Sequence, residues 1–303
     1  MGSILVTGAT GNVGKYVVNY LNGRDSDVVV AGHRIQELEK SYPGMKAVRL
    51  DFEDPSTFEE ALHGVDRVFL MRPPQIGDAE VFRPFVEAMK AQSVRLVSFL
   101  SLMGVERNPF PPHHKIEKMI EEASIPYAHI RPGFFMQNLT GVHAEEIRKD
   151  REIFIPAGNS KVSFIDAEDI GKAIAHVLLN PDAHQHVAYT LTGPEALDYV
   201  DIANQLTLLT GEKITYAKPS MLHYRSRYIN ERGLSPEYVN VTMALYLMTR
   251  LGTAKAITHT FKELTGDEPR TFFEFAKAHL HEFERKDDGD STNDPFDLKE
   301  ANV

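Results

Sequence analysis

The clearest chemical signal in the chain is Thr7-Gly8-Ala9-Thr10-Gly11-Asn12-Val13-Gly14. The apolar run Ile4-Leu5-Val6 leads into it, and Val13, Val17, Val18 and Leu21 follow at helical spacing. This pattern predicts a strand, a tight glycine turn and a helix. Such a turn leaves the first N–H groups of the helix free and pointing at one spot, at the positive end of the helix dipole. That is a site for a phosphate or pyrophosphate. Gly8 permits the sharp turn, Gly11 lets a diphosphate approach the backbone, and Gly14 lets helix and strand pack closely. With Thr10, Asn12 and Val13 these residues form the expected cradle for a dinucleotide.

Further binding residues fall at the ends of later apolar runs. Val28-Val29-Val30-Ala31-Gly32 ends in His33-Arg34. An acid at such a tip bonds the ribose 2′-hydroxyl of NAD, whereas an arginine accommodates the 2′-phosphate of NADP. Arg34 therefore points to NADP(H), with NAD(H) as the other possibility, unless it is a solvated surface arginine. Asp51, past a third run, either accepts from the adenine amino group or caps the segment that follows. Phe52 has the shape to cover the base. The run Asp66 to Met71 is stopped by Arg72-Pro73-Pro74. Met71, Arg72 and Pro73 then sit where a fourth-strand loop faces the nicotinamide half of the cofactor.

These residues need a frame to bring them together. Runs at 94–100 and 127–131 alternate with helical patterns at 79–92 and from His113 onward. Strand and helix alternate with short turns, which predicts an α/β, Rossmann-type, doubly wound parallel sheet covered on both faces. Right-handed crossovers place the loops after the strands along one edge, where ligands bind. Beyond Gly133 the alternation loosens. Residues 1–133 are expected to form the nucleotide-binding core, which also receives segments near 153–192. Residues 134–152 and 193–284 are expected to form a smaller, mostly helical substrate lobe. Residues 285–303 are polar, acidic and aperiodic, and read as a disordered tail. Asp166 is positioned to cap a strong amphipathic helix.

Composition narrows the partners. A net charge of -10 over 303 residues argues against the broad basic face that nucleic acid requires. The absence of cysteine excludes disulfides and thiolate metal sites, and no metal is expected. No apolar stretch is long enough to span a membrane, and the first strand begins too early for a signal peptide. A cytoplasmic protein is expected.

The succession TGATGNVG, FLMRPP, SFLSLMGV, HHKIE, RPGFFMQNL, VSFIDAEDIGKAIAHVL and YTLTGPEALDYVDIANQL resembles the NmrA-like branch of the atypical short-chain dehydrogenase/reductases. The resemblance runs from Ser3 to Phe283. It implies a Rossmann fold, NAD(P) binding and a small helical lobe. It further implies quinones, azo dyes or related electrophilic aromatics as hydride acceptors. The wider superfamily carries a Tyr-x-x-x-Lys pair after strand five; here His113 takes the tyrosine place and Glu117 the lysine place. On that register His113 is a candidate proton donor near neutral pH, with Glu117 orienting it or raising its pKa. Otherwise the two simply start a helix. Ser101 corresponds to the active-site serine or threonine region, or caps its loop. Pro132 closes the sixth strand beside the expected nicotinamide. Phe134, Phe135 and Met136 follow it and suit a flat aromatic substrate, or pack into a core; Tyr224, Tyr228, Tyr238 and Tyr246 carry the same two readings. The missing Tyr/Lys pair also admits a second function, a non-catalytic NAD(P)-binding redox sensor acting through a protein partner. A homodimer remains open.

Overall fold

Ile4, Leu5 and Val6 are shielded completely from solvent, and their run becomes β1 (Ser3–Thr7). A strand buried on both faces reads as a continuous apolar run, and this is the signature of a central parallel strand. The computed structural model describes residues 2–24 and 26–285. The acidic tail expected at the C-terminus lies, from residue 286, outside the described residues.

Six further strands join β1 in one sheet: β2 (Val28–Gly32), β3 (Lys46–Arg49), β4 (Val65–Met71), β5 (Leu96–Leu100), β6 (Tyr127–Pro132) and β8 (Val187–Leu191). Their order is β3-β2-β1-β4-β5-β6-β8, and every pairing is parallel. The order reverses direction between β1 and β4, so the topological switch falls beside the glycine turn. Two short strands, β7 (Glu152–Ile153) and β9 (Thr215–Tyr216), form a separate parallel pair. The expected fold class is the observed one.

The helices follow in order: α1 (Gly14–Leu21), α2 (Ile35–Ser41), α3 (Phe58–Leu62), α4 (Arg83–Ala91), α5 (Pro112–Glu122), α6 (Gln137–Thr140), α7 (Ala144–Lys149), α8 (Ala167–Leu179), α9 (Tyr199–Thr210), α10 (Met221–Ser226), α11 (Pro236–Arg250), α12 (Thr260–Thr265) and α13 (Phe272–Ala278). Helices α3, α4 and α5 bury Phe58, Phe85, Met89, Ile116 and Ile120 against Leu5, Val29, Val68, Val97 and Phe99 of the sheet. At about 25 cal/mol per Å² of apolar surface, each such side chain contributes roughly 1.5–3 kcal/mol. α1 and α8 pack on each other, joining two stretches of the first unit that lie far apart in sequence.

The chain divides into two units. The first holds residues 1–132, 167–191 and 260–267; the second holds 133–166, 192–259 and 268–303. The run at 153–155, expected to return to the core, belongs to the second unit, and α12 belongs to the first. Asp166 is fully buried, and its carboxylate accepts from Gln137 Nε2 and Arg270 NH1, both at 2.6 Å. These two bonds tie the segment 133–166 to itself and to the segment that begins at Glu268. No helix among the described residues is long and apolar enough to cross a membrane.

Candidate cofactor and catalytic site

The turn after β1 is built so that only glycine fits at its two ends. Gly8 has φ +59°, and a β-carbon there would meet the Met71 side chain at 2.6 Å. A β-carbon on Gly14 would stand 2.0 Å from the Gly8 carbonyl oxygen and 2.7 Å from its carbon. The Gly8 carbonyl accepts from Gly11 N at 3.0 Å and closes the turn. The next helical bonds run from Lys15 N to Gly11 O and from Val17 N to Val13 O. Among the described residues the amides of Asn12, Val13 and Gly14 donate to no backbone carbonyl. Val13 caps α1 without a side-chain hydrogen bond. Uncommitted donors therefore converge at a helix N-terminus, which is the chemistry a pyrophosphate requires.

Thr7, which opens the glycine motif, and Tyr42, to which the sequence reading assigns no role, hold this cradle. Thr7 Oγ1 donates to Phe69 O at 3.0 Å and accepts from Met71 N at 2.9 Å, which locks the C-terminal ends of β1 and β4 together. Tyr42 Oη donates to Ala9 O at 2.6 Å across the turn. The side chains were visible, but nothing in their spacing announces these partners.

Arg34 lies past the end of β2, exposed, with its guanidinium 2.8 Å from Glu37. An exposed pair of this kind is weak. Asp51 is half-buried; its Oδ1 accepts from Glu53 N, while Asp54 does the capping of the next turn through Ser56 N. The capping alternative for Asp51 thus passes to Asp54. Phe52 is a correction. It is buried, with its ring 4.7 Å from that of Phe82 and 5.3 Å from that of Phe85, and so belongs to the core and is not free to cover a base.

At the end of β4, Arg72 turns inward. Its NH1 donates to the carbonyls of Pro73, Pro74 and Ile76, and its Nε is buried without a partner. Burial lowers its pKa. Among the described residues no carboxylate pairs with it within ion-pair distance. It is a desolvated cation facing no countercharge, which favours a nearby anion.

His113, the second residue of α5, is buried, and among the described residues its Nδ1 has no hydrogen-bond partner. Burial, and secondarily the charge of Arg72, pushes its pKa down to about 3. The expectation of a histidine that donates as imidazolium near neutral pH is therefore overturned: the ring is neutral. Glu117 does not raise it either. Its carboxylate accepts from Arg131 Nε at 3.0 Å and NH2 at 2.7 Å, a bidentate lock between α5 and β6. Burial alone would raise the Glu117 carboxyl; Arg131, His129 and Ser101 outweigh it and bring the pKa below the ordinary value. Glu117, Glu121 and His129 offer ligand atoms within 4.8 Å of one another, but Arg131 and Lys118 already neutralise the two carboxylates.

Ser101 follows β5 directly, with its N–H on Ile130 O at 2.7 Å and its buried hydroxyl beside the Glu117 carboxylate whose pKa it helps to lower. Pro132, buried, ends β6 and accepts from Met103 N. The ends of β1, β4, β5 and β6 are consecutive in the sheet, so the glycine turn, Met71, Arg72, Pro73, Ser101 and Pro132 line one carboxyl edge.

The second unit holds the aromatic candidates. Met136 is 1% exposed and packs beneath Gly193, so it is a core residue, contrary to the substrate reading. Phe134 and Phe135 stay half-buried, and the Phe134 ring stacks with Tyr246 at 6.3 Å. Tyr224, Tyr228 and Tyr246 are buried around His143. His143 Nδ1 bonds Tyr228 Oη at 2.8 Å and Nε2 bonds Tyr246 Oη at 2.7 Å. Burial, then the charge of Arg232, holds this ring neutral with a pKa of about 3. One nitrogen therefore donates and the other accepts.

Comparison with known proteins completes the picture. The NmrA-like family matches residues 1–251. An NAD(P)H azoreductase from Xenophilus azovorans is 30% identical over 289 residues, covering 92% of this chain and 99% of that protein. An NADPH-dependent quinone oxidoreductase from Escherichia coli, solved with NADPH, superposes with a TM-score of 0.83 at 24% identity, covering 92% and 99% of the two chains. The negative transcriptional regulator NmrA, solved with NADP, gives 0.74 at 15% identity, covering 93% and 96%.

Proposed function

The chain belongs to the NmrA-like family, and from that premise we propose that it is an NADP(H)-dependent oxidoreductase acting on a quinone-like or other electrophilic aromatic acceptor. The observation that carries the reading is the cradle at the β1/β4 switch, where three amides lack backbone acceptors among the described residues and a β-carbon at Gly14 would strike the Gly8 carbonyl. The similarity to a protein named NAD(P)H azoreductase supports the choice of acceptor class.

In this reading the amides of Asn12, Val13 and Gly14 hold the pyrophosphate, and Thr10 borders it. Arg34 takes the 2′-phosphate after releasing Glu37, and this sets the preference for NADP(H) over NAD(H). Asp51 contacts the adenine edge, while Met71, Arg72, Pro73 and Pro132 bound the nicotinamide end. When bound, the nicotinamide supplies the hydride. Phe134 and Phe135 offer flat apolar surface to the acceptor. Arg72 stabilises negative charge as it develops on a reduced oxygen. The proton comes from water, because His113 is neutral and Glu117 is committed to Arg131. A quinone tolerates this, since its reduced oxygen is a modest base. Holding donor and acceptor in register removes on the order of 7–11 kcal/mol of barrier in favourable cases.

The lack of a charged acid at His113 also favours a second reading, an NAD(P)-binding sensor without turnover. Purified protein with NADPH and a panel of quinones separates the two. Acceptor-dependent loss of nicotinamide absorbance supports the oxidoreductase. Tight cofactor binding with no acceptor turned over supports the sensor.

A further inference from the structure

The second unit carries an open surface depression of about 580 Å³, lined by the loops that follow its own small parallel sheet and by Arg250. β7 and β9 pair through Glu152–Thr215 and Ile153–Tyr216, and Ala217 N extends the pairing to Ile153 O. The loops that leave the two strands form the walls.

Two exposed cations, Lys218 and Arg250, stand on its lining. Lys218 Nζ donates to the neutral Asn159 Oδ1 at 2.6 Å. Arg250 Nε donates to Pro156 O at 2.8 Å, which leaves the two terminal nitrogens of its guanidinium uncommitted. Among the described residues neither cation has a carboxylate within ion-pair distance. In a chain with net charge -10 and abundant ion pairs, two cations lining one cavity without an acid stand out. Ser220 Oγ, also on the wall, accepts from His223 N and so keeps its own hydrogen to give. The positions are set by the backbone as well. Lys218 is a non-glycine residue at φ +51°, a conformation that costs about 1–2 kcal/mol. Arg250 crosses Gly158, with Nε 3.5 Å from where a β-carbon would stand.

We propose that this cavity is an oxyanion subsite, distinct from the nucleotide cradle, that takes the phosphate or carboxylate group of a small molecule. The Arg250 fork matches two oxygens side by side, Lys218 supplies a point charge, and Ser220 a third donor. The group is carried either by the acceptor itself or by a separate effector.

The test is calorimetric titration of inorganic phosphate into the protein saturated with NADPH, so that the glycine turn is already filled. Lys218→Asn removes the charge while tolerating the left-handed backbone, and Arg250→Lys keeps charge but loses the fork. The expected result is saturable binding that weakens with salt and falls about tenfold or more in Lys218→Asn, the loss of one charge-assisted hydrogen bond. NADPH affinity and melting temperature, unchanged in both variants, confirm that the fold is intact. Absence of saturable heat, or equal binding in wild type and variants, overturns the proposal. Turnover of a carboxylate-bearing quinone beside its neutral parent then identifies the source. A KM raised in Lys218→Asn only for the acid assigns the site to the acceptor. Lost phosphate binding with neither KM changed assigns it to a separate effector.

Discussion

A β-carbon at Gly14 would lie 2.0 Å from the carbonyl oxygen of Gly8, so the start of α1 and the end of β1 approach as closely as two backbones can. The clash is with backbone and no side-chain rotation relieves it. Gly14→Ala is therefore expected to lower stability by about 1–3 kcal/mol or more through overpacking. Gly11→Ala meets only the Gly8 oxygen, at 3.2 Å. It should keep the melting temperature within a few degrees while weakening NADPH by about tenfold or more, because its methyl group stands where the diphosphate comes closest. Equal behaviour of the two variants in melting and binding would contradict this division of labour.

On the proposed reading Arg34 sets the choice between cofactors. Arg34→Asp replaces a cation facing the 2′-phosphate with an acid suited to a 2′-hydroxyl. NADPH binding is expected to fall by about 10–100-fold, the worth of a charged hydrogen bond, with NADH little changed or improved. Parallel losses for the two cofactors in a binding titration would remove Arg34 from the site.

The histidines predict an acid-sensitive fold. Burial pushes His113 and His143 down to about 3, and His129 to about 4, from an ordinary value of 6.5. The unfolded chain binds these protons below pH 6.5, whereas the folded chain refuses them until much lower pH. Their contribution to stability is therefore complete above pH 6.5 and lost progressively as pH falls towards 3, at about 1.4 kcal/mol per pH unit for each ring. Urea denaturation at pH 7 and pH 5 checks this. A midpoint that does not move would show that the rings are already charged in the fold.

For the same reason His113 should leave no mark on the rate. With its pKa near 3, the pH profile of kcat/KM is expected to show no inflection from this residue between pH 6 and 8. His113→Gln should retain activity within about tenfold, far short of the 10²–10⁴-fold loss that removal of a general acid brings. A larger loss, with an inflection near 6.5 that vanishes in the variant, would restore His113 as the acid.

His143→Phe should destabilise the second unit by about 2–4 kcal/mol, because it strands the buried hydroxyls of Tyr228 and Tyr246 together. Adding Tyr246→Phe to that variant should recover part of the loss, since the orphaned hydroxyl goes too. Additive losses in denaturation would mean that the pair does not depend on the imidazole.

The frame and the cradle were legible because each rests on local rules. Two-sided burial writes strands such as Val28–Gly32 as unbroken apolar runs, and the glycine spacing follows from one turn and one close approach. The catalytic register was less legible. Glu117 was read with His113 because they are one helical turn apart, yet its partner is Arg131, which the packing of α5 on β6 brings up from 14 residues away. Phe52 and Met136 illustrate a second limit. An apolar side chain just past a strand has the same sequence whether it covers a ligand or fills the core. The His143 bonds to Tyr228 and Tyr246 span 85 and 103 residues, beyond any periodic signal.

The account depends most on NADPH binding at the turn after β1. Calorimetric titration of the intact chain with NADPH and NADH measures this directly. Saturable heat with both, NADPH tighter by about tenfold or more, is the predicted result. No saturable heat with either nucleotide, from protein whose circular dichroism shows it folded, would contradict the account at its foundation.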